Sequence, residues 1–175
     1  MKHIGMWTAI IVVAALCVTG QKVQAADTLQ AGATAPNFTL PSQEDKPISL
    51  AQFHGKWVVL YFYPKDQTQG CTIEAHNFQR DVAKYDAANA VILGVSMDTV
   101  ESHKEWCAKD TFSFKLLADP DHKVVDQYEG GVTGKVAKRE TFLINPQGKI
   151  VKMWVVSNVN SHSEEILAEL DTQKK

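Results

Sequence analysis

Three cysteines, Cys17, Cys71 and Cys107, are the side chains in this sequence best suited to redox chemistry. Cys71 has the most informative surroundings. A run of β-branched and aromatic residues, Val58 to Tyr63, has the length and composition of a buried strand. Pro64 ends it, having no N–H to give a sheet ladder. A polar turn from Lys65 to Gly70 follows. Beyond Cys71, Ile73, Ala75, Phe78, Val82 and Tyr85 recur at helical spacing, with Glu74, Arg80, Asp81 and Lys84 on the wetter faces. Thr68 is a good N-cap, which puts Cys71 in the first helical turn. A sulfur there sits among unpaired backbone N–H groups at the positive end of the helix dipole, and both favour thiolate over thiol. The chemistry implied is nucleophilic attack by sulfur. The plainer alternative is an inert core cysteine. Packing alone does not call for strand, proline turn, threonine and cysteine in that order.

Cys17 lies in a segment of another kind. Lys2 and His3 precede an apolar run from about Met6 to Val18, and Val23-Gln24-Ala25 offers small residues where a signal peptidase reads. Residues 1–25 therefore read as a signal peptide and residues 26–175 as one exported domain. The run is shorter than the ~20 residues a membrane span requires. Cys17 follows Leu16, where a lipidation box would carry a small residue. The expected location of the mature chain is a bacterial periplasm, free of the membrane. Cleavage removes Lys2 and Lys22 and no acid, leaving 16 basic against 20 acidic side chains and a charge of −4. It also leaves two cysteines, Cys71 and Cys107. In an oxidising compartment an even pair invites a disulfide reading, yet two cysteines cannot staple a small cysteine-rich fold. Redox chemistry is the better use for them.

Hydrophobic content of 45% and charged content of 22% suit one globular domain with a sizeable core. A net charge of −2 without a dense Lys/Arg cluster gives no sign of nucleic-acid binding. The six histidines, at 3, 54, 76, 103, 122 and 162, lack the pair spacing of a metal site and read as surface or locally satisfied residues. No cofactor or metal motif is found.

The elements that must position Cys71 follow from pattern. Residues 36–41 form a short extended piece and residues 42–46 a turn. Ala90–Ser96 is a second buried strand, and Asp98 with Glu101 resembles a capping box for a helix running through Cys107 to Lys109. Phe112–Leu117 alternates like a half-buried strand, and His122–Tyr128 can be a short helix. A glycine-bearing loop spans Gly130 to Lys138. Thr141–Ile144 and Ile150–Val156 form a hairpin about the turn Asn145 to Gly148. Ser161 and Glu164 can cap a last helix carrying Ile166, Leu167 and Leu170, with a fraying tail from Asp171. This order predicts an α/β fold, a central mixed sheet flanked by helices, with the site at the carboxyl ends of the strands. The Pro64–Cys71 turn leaves such an end.

Motifs along nearly all of the mature chain resemble the peroxiredoxins, and within them the bacterioferritin-comigratory or PrxQ-like branch. They are Pro64-x-x-x-Thr68-x-x-Cys71, with Gly70-Cys71-Thr72-x-Glu74 as the branch flavour. Upstream stand Ala35-Pro36-x-Phe38 and Gly55-Lys56-x-Val58. Downstream come Ser96-x-Asp98, Ser102-His103-x-x-Trp106 and Arg139-x-Thr141-Phe142. The resemblance implies a thioredoxin-like fold and thiol-dependent reduction of hydrogen peroxide or organic hydroperoxides. It implies that Cys71 is the peroxidatic thiolate, oxidised to a sulfenic acid. Arg139 would supply positive charge to sulfur and substrate, and without the resemblance it would read as a surface arginine. Thr68 would aim its hydroxyl at the thiolate or peroxide, Pro64 would shield the pocket, and Glu74 would hold the Arg139 fork.

One position departs from the pattern. Many members of the branch carry a resolving cysteine five residues after the first, and this chain has His76 there. Another subset has it on the following helix, which makes Cys107 the resolving candidate and an intramolecular disulfide the expected product. A thioredoxin-like reductant would then recycle the enzyme, and the resemblance favours a monomer. Rival readings are a one-cysteine peroxidase recycled by an external thiol and a non-catalytic domain with a structural Cys71–Cys107 bridge. A Cys-x-x-Cys reductase is disfavoured, because Glu74 fills the second position.

Overall fold

The apolar run before Pro64 becomes the middle of a sheet because both of its faces are covered. The computed structural model describes residues 29–129 and 135–174. The strand, β3 (Trp57–Phe62), is buried along its whole length. Before it, β1 (Thr39–Pro41) and β2 (Pro47–Ser49) make a small antiparallel hairpin, followed by a 3-10 turn at Leu50–Phe53. After it come α1 (Gln69–Ala87), β4 (Ala90–Ser96), α2 (Val100–Asp110), β5 (Lys115–Ala118) and α3 (Lys123–Glu129). The chain closes with β6 (Glu140–Ile144), β7 (Ile150–Val155) and α4 (His162–Gln173).

The main sheet has the order β5-β4-β3-β6-β7. The β3–β4 and β4–β5 pairs are parallel, while β6 joins β3 antiparallel and pairs with β7 as a hairpin. Alternation along β3 divides the core in two. Trp57, Val59, Tyr61 and Tyr63 face a layer with Phe78 and Tyr85 of α1, Trp106 of α2, and Ile166 and Leu170 of α4. Val58, Leu60 and Phe62 face a second layer with Val124, Val125 and Tyr128 of α3 and Phe38 and Leu40 of the first hairpin. Burying apolar side chains on both faces, at ~25 cal/mol per Å2, stabilises β3 from two sides. The mixed sheet flanked by helices is the architecture the sequence predicts.

Several local readings need correction. The cap of α2 is Thr99, whose hydroxyl accepts from Ser102 N at 3.3 Å. Asp98 is not the cap, because its carboxylate is taken by Asp66 N (2.9 Å) and Ser96 Oγ (2.7 Å). Thr68 stands at the N-cap position of α1 with extended backbone, but its hydroxyl makes no cap bond. At α4, Ser161 gives its hydroxyl to Glu165 at 2.5 Å, so Glu164 is not its partner. The helix runs on through Asp171 to Gln173, where a fraying tail was expected. β5 starts at Lys115 and not at Phe112, whose ring packs edge-on against Trp106. Residues 1–25, expected to form a signal peptide, and loop residues 130–134 lie outside the described residues.

Beyond its first turn, α1 is tied down by side chains. Asp81 is buried and receives Arg80 Nη2 (2.6 Å), Lys84 Nζ (2.8 Å) and Ser163 Oγ of α4 (2.9 Å). Gln79 Oε1 accepts from Ser113 N at 2.8 Å, and His76 Nε2 lies 3.5 Å from Asp110 at the end of α2.

Candidate active site

Cys71 occupies the first turn of α1, at the carboxyl end of β3, and is 1% exposed. Arg139, just before β6 on the neighbouring strand, reaches over it: Nη2 donates to Cys71 Sγ at 3.2 Å. Gly70 lies beside this approach, and a Cβ there would touch Arg139 Nη2 at 3.4 Å, an ordinary van der Waals contact. The Arg139 carbonyl accepts from Val156 N at 2.9 Å, which pins its backbone to the end of β7. The other arm of the fork, Nη1, donates to Glu74 Oε2. Glu74 is buried, one turn from Cys71 on the same helix. Three residues far apart in burial preference thus meet because β3, β6 and the start of α1 converge there.

The electrostatics are those of a cation held in a dry setting. Burial pushes the Glu74 carboxyl up to about 7, against the pull of the Arg139 guanidinium. Burial works against the charge of Arg139, and Glu74 and Cys71 together more than offset it, so its pKa is raised. His162 donates or accepts at Thr141 Oγ1 (2.8 Å), two residues beyond Arg139. Burial lowers its pKa to about 4, so it adds no second positive charge near neutral pH. A guanidinium fork beside a buried sulfur can stabilise negative charge on that sulfur and on an oxygen leaving it.

Other expected site residues behave differently. Pro64 stands one residue past β3, after Tyr63, where the chain bends out of the sheet. Thr68 is exposed and its hydroxyl donates to Lys65 O at 3.0 Å, so it does not point its proton at the sulfur. Its lone pairs remain open to a donor. Cys107 is half-buried on α2, packed against the same core layer as Cys71, and both are free thiols. Burial pushes Cys107 up to about 11, with the negative charge of Asp66 adding to the rise.

The turn between Pro64 and α1 hides a polar cluster that the sequence reading missed. Asp66 is buried and its carboxylate takes Tyr63 OH (2.8 Å), Ser102 Oγ (2.7 Å) and His103 Nδ1 (2.8 Å). His103 is 0% exposed, contrary to a surface or satisfied histidine, and its Nε2 has no partner among the described residues. The available signal was spacing: His103 precedes Cys107 by one helical turn.

A buried helix-start thiol under an arginine fork, on a sheet of this order, is the equipment of a peroxidase that works through sulfur. Comparison with known proteins gives the family. Residues 31–153 match the AhpC/TSA family. Peroxiredoxin Bcp of Xanthomonas campestris is 41% identical over 134 residues, covering 73% of this chain and 84% of its own. A mutant PrxQ structure from Xylella fastidiosa aligns with a TM-score of 0.79 at 33% identity, covering 84% of this chain and 98% of that one. Two structures of Xanthomonas campestris peroxiredoxin Q align with TM-scores of 0.75 and 0.74 at 35% and 34% identity. They cover 84% and 83% of this chain and 98% and 97% of theirs. Each has a different cysteine changed to serine, and those two cysteines stand as far apart in sequence as Cys71 and Cys107. The chain belongs to the AhpC/TSA family, in its Bcp/PrxQ peroxiredoxin branch, and is a thiol-dependent peroxidase with a thioredoxin-like fold.

Proposed function

We propose that Cys71 is the peroxidatic residue and Cys107 the resolving one. The observation that carries this is the Arg139 fork, which holds Cys71 Sγ with one arm and buried Glu74 with the other. The Cys71 thiolate attacks one peroxide oxygen; the S–O bond forms, the O–O bond breaks, and the leaving oxygen departs as water or alcohol after taking a proton. Arg139 supplies charge to sulfur and departing oxygen, Thr68 offers its hydroxyl oxygen to the incoming hydroperoxide, and Pro64 shapes the wall of the pocket. Glu74 fixes the fork.

The sulfenic acid on Cys71 then condenses with Cys107 to a disulfide and water. The sequence separation shared with the two cysteines replaced in the Xanthomonas structures supports this pairing. A disulfide needs Cα atoms within about 7 Å. The first turn of α1 is the segment proposed to unwind for it, since the ties to α2, α4 and the turn before β5 begin at His76. The bridge is reduced by a thioredoxin-like dithiol protein of lower potential. Export through residues 1–25, a periplasmic location and a monomeric state complete the proposal; they rest on the sequence pattern and the family likeness.

Intact mass of the reduced protein after one equivalent of hydrogen peroxide, with free thiols then alkylated, tests this. The expected product has lost two hydrogens and takes up no alkyl group. Cys71→Ser should consume no peroxide, and Cys107→Ser should stop at one added oxygen. An added oxygen in the unaltered protein, with Cys107 still alkylated, would make it a one-cysteine enzyme.

A further inference from the structure

We infer that His103, oriented by Asp66, is the base that takes the proton from Cys107 when that thiol attacks the oxidised Cys71. This rests on the reading of Cys107 as the resolving residue.

Asp66 offers only acceptor oxygens as a carboxylate, so the hydrogen in its 2.8 Å contact with His103 belongs to Nδ1. Tyr63 and Ser102 also donate to Asp66, and Asp98 fixes its backbone N–H, so the carboxylate has little freedom to move. In the neutral imidazole of that tautomer, Nε2 is the nitrogen that carries the free lone pair. It is fully buried and meets no donor among the described residues. Leaving such an acceptor unpaired forfeits the hydrogen bond it would make in water, so a group held this way needs a reason.

The helix supplies one. His103 and Cys107 are one turn apart on α2, where positions i and i+4 share a face. No hydrogen bond joins them in the reduced form, so the Cys107 side chain has to turn its S–H toward Nε2 for the transfer. Cys107 packs against the core layer that also contains Cys71. It is a poor nucleophile unaided, because burial and the nearby Asp66 hold its proton on. A carboxylate, an imidazole with its far nitrogen free and a thiol make the ordered set that activates sulfur elsewhere in protein chemistry.

The step balances without an outside reagent. The Cys107 S–H proton passes to Nε2 while the sulfur attacks the sulfenic sulfur of Cys71. The S–S bond forms, the S–O bond breaks, and the departing hydroxide recovers the proton from Nε2 as water. One sulfur is oxidised and the other reduced.

The test separates the two chemical steps. Reduced full-length protein is mixed rapidly with hydrogen peroxide, quenched with a thiol alkylator and a sulfenic-acid probe, and weighed intact against time. His103→Gln can keep the donor to Asp66 but lacks the base. It should form sulfenic acid at the wild-type rate and disulfide at least about 100-fold more slowly. In His103→Ala, added imidazole should restore much of the lost rate. Disulfide formation in His103→Gln within a few-fold of wild type would overturn the assignment. So would equal slowing of both steps, or a slow His103→Ala that imidazole leaves slow. If the unaltered protein forms no disulfide, the resolving role of Cys107 itself fails, and that appears in the control before any variant is compared.

Discussion

The two thiols share a core layer and have opposite surroundings. Cys71 is 1% exposed at the start of a 19-residue helix, with a guanidinium 3.2 Å from its sulfur. Cys107 is half-buried near the far end of α2, with its proton held on by burial and by Asp66. Each setting suits a different task. A sulfur that attacks a dilute peroxide needs charge stabilisation at all times. One that attacks a sulfenic acid on the same chain meets its target at high effective concentration. It can stay protonated until then, which protects it from oxidation.

The largest effect that could break this contrast is at Arg139. Arg139→Gln keeps an amide to bond Glu74 but removes the charge beside Cys71. The rate of sulfenic acid formation should fall by about 100- to 1,000-fold, the scale for losing one such donor. Alkylation of Cys107 by iodoacetamide should be unchanged. Stopped-flow peroxide consumption and peptide mass mapping read the two. An Arg139→Gln variant within a few-fold of wild type would mean that the helix start alone serves Cys71.

A smaller effect concerns the carboxylate behind the fork. Glu74 titrates at its ordinary 4.5 in the unfolded chain and at about 7 in the fold, because burial outweighs Arg139. The folded state therefore binds this proton more tightly. The associated stability is fully present below about pH 4.5 and is lost as pH rises through 7, a change of about 3 kcal/mol. Glu74→Gln removes this dependence. Urea unfolding should show the variant gaining on wild type by about that amount between pH 4.5 and pH 8. A constant gap would mean that Arg139 holds Glu74 ionised throughout, and the Cys71 pocket would be less dry than its burial suggests.

Much of this site could be read from residue order. Cys71 at a helix start followed from Pro64, a polar turn and helical spacing, all local signals. The mixed sheet flanked by helices followed from β-branched runs separated by helical stretches. Arg139 could not be found that way, because its meeting with Cys71 depends on β6 pairing with β3, a contact across 68 positions. Asp66 and His103 were hidden for a related reason. A lone histidine at helical spacing reads as surface until the loop carrying Asp66 is seen folded against α2. Asp98 misled in the other direction: its spacing to Glu101 suits a cap, but the loop claimed its carboxylate first.

The smallest expected effect tests what the two thiol sites have in common. Gly94 lies inside β4, where glycine ordinarily weakens a strand. Its reason is Tyr61: a Cβ at position 94 would lie 2.6 Å from Tyr61 Cζ and 2.8 Å from Leu116 Cδ2. Both neighbours are fully buried, so neither can swing into solvent. Burial, with the negative charges of Glu74, Cys71, Asp66 and Cys107 adding to it, raises the pKa of the Tyr61 hydroxyl, and its ring lies in the core layer that holds both thiols. Gly94→Ala should cost about 1–3 kcal/mol in denaturant unfolding, the scale of overpacking a tight core. The displaced ring should also alter both thiols, changing peroxide reaction at Cys71 and alkylation at Cys107 by a few-fold each. Arg139→Gln moves one of these rates and Gly94→Ala should move both. A Gly94→Ala protein that loses stability while both thiols keep their rates would make Tyr61 a packing element alone, and the two sites would share a core without sharing a wall.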